Sequence, residues 1–261
     1  MRASVSQIKA FKACRRAWYF KYSEKLEPVQ VSEALQIGRK YHALLETLEK
    51  GEELPEEYTK ECAMAKAFQK YILSEIKVVA AEKELELPVG DHILHGFVDG
   101  LSEDGCIIEH KTTSMDIAEG GEYEYNLLWD EQVLAYMALT GSRKVYYTVC
   151  KKPTIRLKKN ETDEEFFKRM VEWYDEDTDQ KITLFTVERT DAEVEQFLKD
   201  FSDICDVMEN AKTLYRNTGN CTNFGRRCEY SSICLHYSPD KQYLEFTKKE
   251  DHEDGGENAS K

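Results

Sequence analysis

ILHGFVDGLSEDGCIIEHKTT, residues 93–113, is the stretch whose reading decides the fold. Apolar and polar residues alternate on both sides of Glu103-Asp104-Gly105, a turn signal, so two strands joined as a hairpin are expected. The second strand runs from Ile107 into Glu109, His110 and Lys111. Side chains in a strand alternate faces, so Glu109 and Lys111 point one way and His110 the other. Taken alone, Glu109-x-Lys111 is accounted for by a surface ion pair at a sheet edge.

The hairpin partner changes that reading. Asp99 lies near the end of the first strand, within one side-chain reach of the second. Two carboxylates and an ammonium converging at a sheet end call for a further cation. Mg²⁺ or Mn²⁺ takes carboxylate oxygens and turns a bound water into a nucleophile for a phosphodiester. The lysine then orients that water or stabilises charge growing on the phosphate.

Outward from the hairpin, the pattern predicts helices over 4–23, 32–50 and 57–77. A strand, VVAAEKELELPV, leads into the hairpin, and a further helix spans 123–140. KVYYTVCKKPTIRLKK reads as strand, proline break and strand, followed by helices over 162–175 and 190–213. This order predicts an α/β fold with a central mixed β-sheet flanked by helices. One domain is expected over 1–246, with its core at about 32–213. A cysteine-bearing element is formed from 4–23 and 217–238, and a disordered acidic tail follows over 247–261.

The 261 residues are 41% hydrophobic and 33% charged, enough for a packed core. No run approaches the ~20 apolar residues of a membrane span, and the N-terminus carries no apolar signal core. A cytoplasmic protein is expected. The net charge of −14 argues against unspecific polyanion binding. The basic residues are unevenly placed, however. Residues 1–26 hold Arg2, Lys9, Lys12, Arg15, Arg16, Lys21 and Lys25 against Glu24 alone, and Lys151, Lys152, Arg156, Lys158 and Lys159 form a second group.

Asp99-x9-Glu109-x-Lys111 resembles the signature of the PD-(D/E)XK nucleases. Further stretches are similar to the RecB-, AddB- and Cas4-like branch of that superfamily. GRKYHALLE places His42 on a helix ahead of the sheet. DEQVLAYMAL carries Gln132 and Tyr136, one helical turn apart on one face. SQIKAFKACRRAWYFKY resembles the N-terminal helix of that branch. Together these motifs cover residues 4–236. The resemblance implies a restriction-endonuclease-like core in which His42, Asp99, Glu109 and the backbone carbonyl of His110 hold Mg²⁺ or Mn²⁺. Lys111 would orient the attacking water, and Gln132 and Tyr136 would position the lysine or the substrate backbone.

Eight cysteines in a cytosolic chain do not suggest a disulfide framework. Cys62, Cys106, Cys150 and Cys205 read as core thiols. Cys221-x6-Cys228-x5-Cys234 offers three soft ligands, one short of a Cys₄ zinc site or a [4Fe–4S] cluster. The resemblance supplies the fourth, Cys14, and implies a [4Fe–4S] cluster stapling the chain ends together. The x5 spacing matches that branch, whereas x6 stands where x2 is more usual. No C-x2–4-C knuckle of the kind zinc prefers is present.

The implied activity is a metal-dependent exonuclease acting on single-stranded or end-frayed DNA, in recombination, repair or replication, with phage or CRISPR-adaptation settings both compatible. Lys12, Arg15, Arg16 and Trp18 are the expected DNA contacts, although Trp18 can equally pack inward. No G-x4-G-K-[ST] motif is present, so any helicase or recombination partner would be a separate chain. Two other readings stay open at this point: a non-catalytic DNA-binding accessory module and a zinc-stabilised interaction protein. The complete His, Asp, Glu and Lys set argues against both.

Overall fold

The structure, a computed structural model, describes residues 1–223, 226–236 and 245–249. The chain folds into two compact units. The first comprises residues 1–5 and 32–203, and the second residues 6–31 and 204–261.

The first unit is built on a six-stranded mixed sheet. Its strands are β1 (Arg2–Ser4), β3 (Val78–Val89), β4 (His92–Ser102), β5 (Ile107–Thr113), β6 (Lys144–Lys151) and β7 (Ile182–Glu188); β2 (Leu26–Pro28) belongs to the second unit. The path runs β1-β4-β5-β6-β7, with β3 also paired to β4. β1 with β4 and β5 with β6 are parallel, and the other pairs are antiparallel. The α/β expectation with a mixed, helix-flanked sheet is met.

Alternation along the strands assigns the two faces. Ile108 and Cys150 face α3 (Glu33–Glu49), α4 (Lys60–Tyr71) and α7 (Asp163–Trp173), where Tyr41, Leu45, Phe68, Phe167 and Tyr174 complete one core. Ile107, Val145, Tyr147 and Val149 face α6 (Glu131–Thr140), where Val133, Tyr136 and Met137 form the other. Helix starts follow local chemistry. Ser32, Thr59 and Thr162 each accept a backbone N–H of the first turn, and Thr162 forms a full capping box with Glu165.

Four expectations are corrected. The helix expected over 4–23 is broken into α1 (Val5–Ala13), α2 (Arg15–Trp18) and a π-helical turn (Tyr19–Ser23), because Cys14 is extended at φ −162°. The helix expected over 57–77 is the shorter α4. The helix expected over 123–140 divides into α5 (Glu122–Leu127) and α6, because Asp130 caps a new helix. No strand forms over 154–159. The partner of β6 is instead β7, formed by the alternating ITLFTVE segment.

The second unit holds a small core of Leu26, Tyr230, Ile233 and Phe246, against which Ala17, Phe20 and Cys228 pack. β10 (Phe246–Lys248) pairs with β2. Most of the tail expected to be disordered, residues 250–261, lies outside the described residues. Among the described residues, no helix is long and apolar enough to cross a membrane.

Candidate active site

β4 and β5 pair only through Gly100–Ile108 and Leu101–Ile107. Beyond that point they part, and side chains fill the gap. The backbone N–H of His110 is taken by Asp99 Oδ2 at 2.9 Å. The other oxygen, Asp99 Oδ1, faces His42 Nδ1 at 3.6 Å. The His42 ring also hydrogen-bonds to the backbone of His110. Thus α3, β4 and β5 bring His42, Asp99, Glu109 and the His110 backbone to one place.

Glu109 is 2% exposed. Its Oε1 accepts from Lys111 Nζ at 2.5 Å, while its Oε2 is buried without a hydrogen-bond partner. Burial first, and the charge of Asp99 second, push this carboxyl up to about 7. Asp99 goes the other way. Burial alone would raise it, but the hydrogen bond and charge of His42 hold it below the usual carboxylate range. Burial would lower His42, yet its bond to Asp99, the charges of Asp99 and Glu109 and the His110 backbone together raise it. Burial would lower Lys111 too, but the charge and hydrogen bond of Glu109, with the charges of Asp130 and Asp99, together raise it. Two carboxyls with environments of opposite sense, one of them with a partnerless buried oxygen, suit a cation-binding pair.

On the α6 side, Gln132 Oε1 lies 3.5 Å from Lys111 Nζ, and Gln132 Nε2 donates to the Tyr136 hydroxyl at 2.5 Å. The Tyr136 ring lies close to β4 because position 96 is glycine. A Cβ there would sit 3.2 Å from Tyr136 Cε1. The His110 ring points to the opposite face, as the strand alternation requires. It is held by Thr148 Oγ1 at 2.6 Å and Glu49 Oε1 at 2.9 Å, and its edge meets the His42 ring, with centroids 5.8 Å apart.

Two groups escaped the sequence reading. Glu49, at the end of α3, is a buried partner for His110 that only folding reveals. Asp130 lies 3.8 Å from Lys111 Nζ. Its position just ahead of the Gln132 helix is an N-cap signature that could have singled it out.

The profile of the PD-(D/E)XK nuclease superfamily matches residues 2–235. The chain belongs to the PD-(D/E)XK nuclease superfamily. Among solved structures, a candidate exonuclease from Eubacterium rectale shares the fold, with a TM-score of 0.55 at 13% identity over 90% of this chain and 87% of that one. More distant are an alkaline exonuclease from Laribacter hongkongensis and a phage-related exonuclease from Haemophilus somnus 129PT. The first has a TM-score of 0.36 at 14% identity, over 81% and 91% of the two chains. The second has a TM-score of 0.35 at 16% identity, over 64% and 79%. No curated protein matches.

In this superfamily member the cysteines gather within the second unit. Cys14, Cys221, Cys228 and Cys234 line one pocket with Ala17, Phe20 and Tyr230. The segment between Cys221 and Cys228 closes through β8 (Thr222–Asn223) and β9 (Arg226–Arg227), and Cys228 N–H donates to the Cys221 carbonyl at 2.8 Å. The x6 spacing therefore brings the two cysteines together as a shorter spacing would. α8 (Ser231–His236) then carries Cys234. Cys14 is tied in by Asn217, whose N–H donates to Cys14 Sγ at 3.4 Å, and by the Asn217 and Asn220 amides, which donate to the Ala13 carbonyl at the end of α1. Burial raises the Cys228 and Cys234 thiols, and the other pocket thiols raise them further.

The basic N-terminal segment is in the same unit. Arg15 stacks between the Phe11 and Tyr215 rings, 4.8 Å from each centroid. Arg16 Nε donates to the Leu214 carbonyl at 2.9 Å. The Trp18 indole N–H is buried, and the ring packs edge-on against Phe11 at 5.3 Å. Trp18 thus packs inward, whereas Lys12 is exposed.

Proposed function

We propose that the chain is a divalent-metal-dependent DNase that removes nucleotides from single-stranded or end-frayed DNA. The observation that carries this reading is Glu109 Oε2, a buried carboxylate oxygen with no partner beside Asp99 and His42. Asp99, Glu109, His42 and the His110 carbonyl supply the hard oxygen and imidazole donors that Mg²⁺ or Mn²⁺ takes; the ligand atoms of the three side chains do not all lie within 4.8 Å of one another, so the cation would have to draw them together. Bound there, the cation supplies positive charge against the scissile phosphate and lowers the pKa of a water.

The rest is done by the chain. Lys111 presents N–H donors to the attacking water and to charge growing on the phosphate oxygens. Gln132 limits where the ammonium can go, and the Tyr136 hydroxyl fixes Gln132. Asp99, held low by His42, stays ionised throughout the neutral range. The His110 N–H keeps Asp99 from turning away.

Four thiols around one pocket favour a metal centre in the second unit. Tetrahedral zinc, with Zn–S near 2.3 Å, needs sulfurs about 3.8 Å apart. Among the described residues, no three of these sulfurs converge within 4.8 Å. A wider-spaced [4Fe–4S] cluster, bound by one thiolate per iron, is the better fit. Its role would be structural.

The test is cleavage of 5′- and 3′-labelled single- and double-stranded DNA with Mn²⁺, for wild type and for Lys111→Ala and Glu109→Ala. Loss of cleavage in both variants, with unfolding transitions retained, is expected. Cleavage retained by either variant at equal purity overturns the site.

A further inference from the structure

Asp130 precedes the helix that carries Gln132 and Tyr136, and its two carboxylate oxygens do different work. Oδ1 accepts the Gln132 backbone N–H at 3.1 Å, capping α6. Oδ2 lies 3.4 Å from the Tyr147 hydroxyl and 3.8 Å from Lys111 Nζ. Tyr147 is fully buried on β6, directly across from Glu109 in the strand register. The contacts close a ring from Glu109 to Lys111, Asp130, Tyr147 and back to Glu109 through the sheet. A helix cap needs only one acceptor oxygen and no charge, since Asn and Ser cap as well as Asp. The cap alone therefore requires neither the second oxygen nor the charge.

We propose that Asp130 is the positioning residue for Lys111, anchoring the ammonium from α6 when Glu109 is engaged elsewhere. The inference rests on the nuclease reading above. Lys111 has its shortest bond to Glu109, at 2.5 Å, and two longer approaches to α6, through Gln132 and Asp130. Once Glu109 gives its oxygens to a divalent cation, the two α6 groups are what remains to fix the ammonium. Of these, only Asp130 is charged. Its carboxylate cannot swing, because the α6 backbone holds one oxygen and Tyr147 the other. The cap thus sets the start of α6 and the place of the lysine at once.

The experiment separates cap from charge. Asp130→Asn and Asp130→Ser keep the cap and remove the charge, whereas Asp130→Glu keeps the charge and caps poorly. Each is measured for kcat, KM and melting temperature on single-stranded DNA with Mn²⁺, beside wild type and Lys111→Ala. A misplaced catalytic group costs on the order of 100-fold. Asn and Ser should therefore lose roughly 10- to 100-fold in kcat, with KM and melting temperature near wild type. Glu should melt earlier yet recover much of kcat. Wild-type kcat in Asp130→Asn or Asp130→Ser, with Lys111→Ala inactive, overturns the proposal and leaves the nuclease reading intact. Activity that follows melting temperature across the three variants overturns it too. Cleavage surviving in Lys111→Ala points instead to failure of the nuclease reading.

Discussion

Replacing Glu109 by Gln should make the metal-free protein more stable at pH 8 while destroying its response to metal. Glu109 is buried beside Asp99, and its carboxyl is lifted from 4.5 to about 7. At about 1.4 kcal/mol per pH unit, keeping it ionised at pH 8 costs roughly 3 kcal/mol. Gln removes that cost and keeps the shape. That cost is already net of the hydrogen bond and charge of Lys111, which favour the ionised carboxyl. The net gain should be about 1–3 kcal/mol, or roughly 3–10 °C in melting temperature for a unit of this size. The pH dependence gives the sharper test. In the native state Glu109 holds its proton up to about 7, whereas the unfolded chain releases it near 4.5. Wild-type stability therefore falls as pH rises through that window. Below about pH 4.5 both side chains are neutral and the advantage of Gln should vanish; above about pH 7 it should be complete. The assay is thermal unfolding in EDTA from pH 4.5 to 8, repeated with excess Mn²⁺. The cation should stabilise wild type through mass action and leave Glu109→Gln unmoved. A variant no more stable than wild type at pH 8, or an advantage that is flat with pH, would refute this account of Glu109.

Mn²⁺ affinity measured by calorimetry should weaken by tenfold or more for each pH unit below about 6.5, because the cation displaces the protons of both Glu109 and His42; a flat profile from pH 5.5 to 7.5 would count against it. Gly96→Ala should lower kcat with little loss of stability, since the new Cβ lies 3.2 Å from the Tyr136 ring and must move it by a few tenths of an ångström; an unchanged kcat would show that the ring position is immaterial. Anaerobically purified protein should be brown, and Cys14→Ser should bleach it; a colourless preparation with one equivalent of zinc, or colour surviving Cys14→Ser, would exclude the four-thiolate cluster. Arg15→Gln with Arg16→Gln should flatten the salt dependence of single-stranded DNA binding by roughly 1–1.5 in log–log slope, measured in Ca²⁺; an unchanged slope would turn attention to Lys151, Lys152, Arg156, Lys158 and Lys159.

The sequence by itself determined the hairpin and what it presents. Strand alternation alone puts Glu109 and Lys111 on one face and His110 on the other, and the structure keeps that division. The helical spacing of Gln132 and Tyr136 was equally plain, since a four-residue step is a local property of an α-helix. The mixed sheet followed from the order of strand and helix patterns. The partner of β6 did not follow, because pairing is a long-range choice that KITLFTVE and the segment after Pro153 could both have met on local pattern. Only the tertiary structure decided where β4 and β5 part. That splay leaves the His110 N–H to Asp99 and opens the place that His42 enters from α3. It also decided burial, and burial raises Glu109 while the bond to His42 holds Asp99 down. Two carboxylates look alike in a sequence. Their difference lies in solvent exclusion and in neighbours brought from Lys111, His42 and Asp130, which no local pattern encodes.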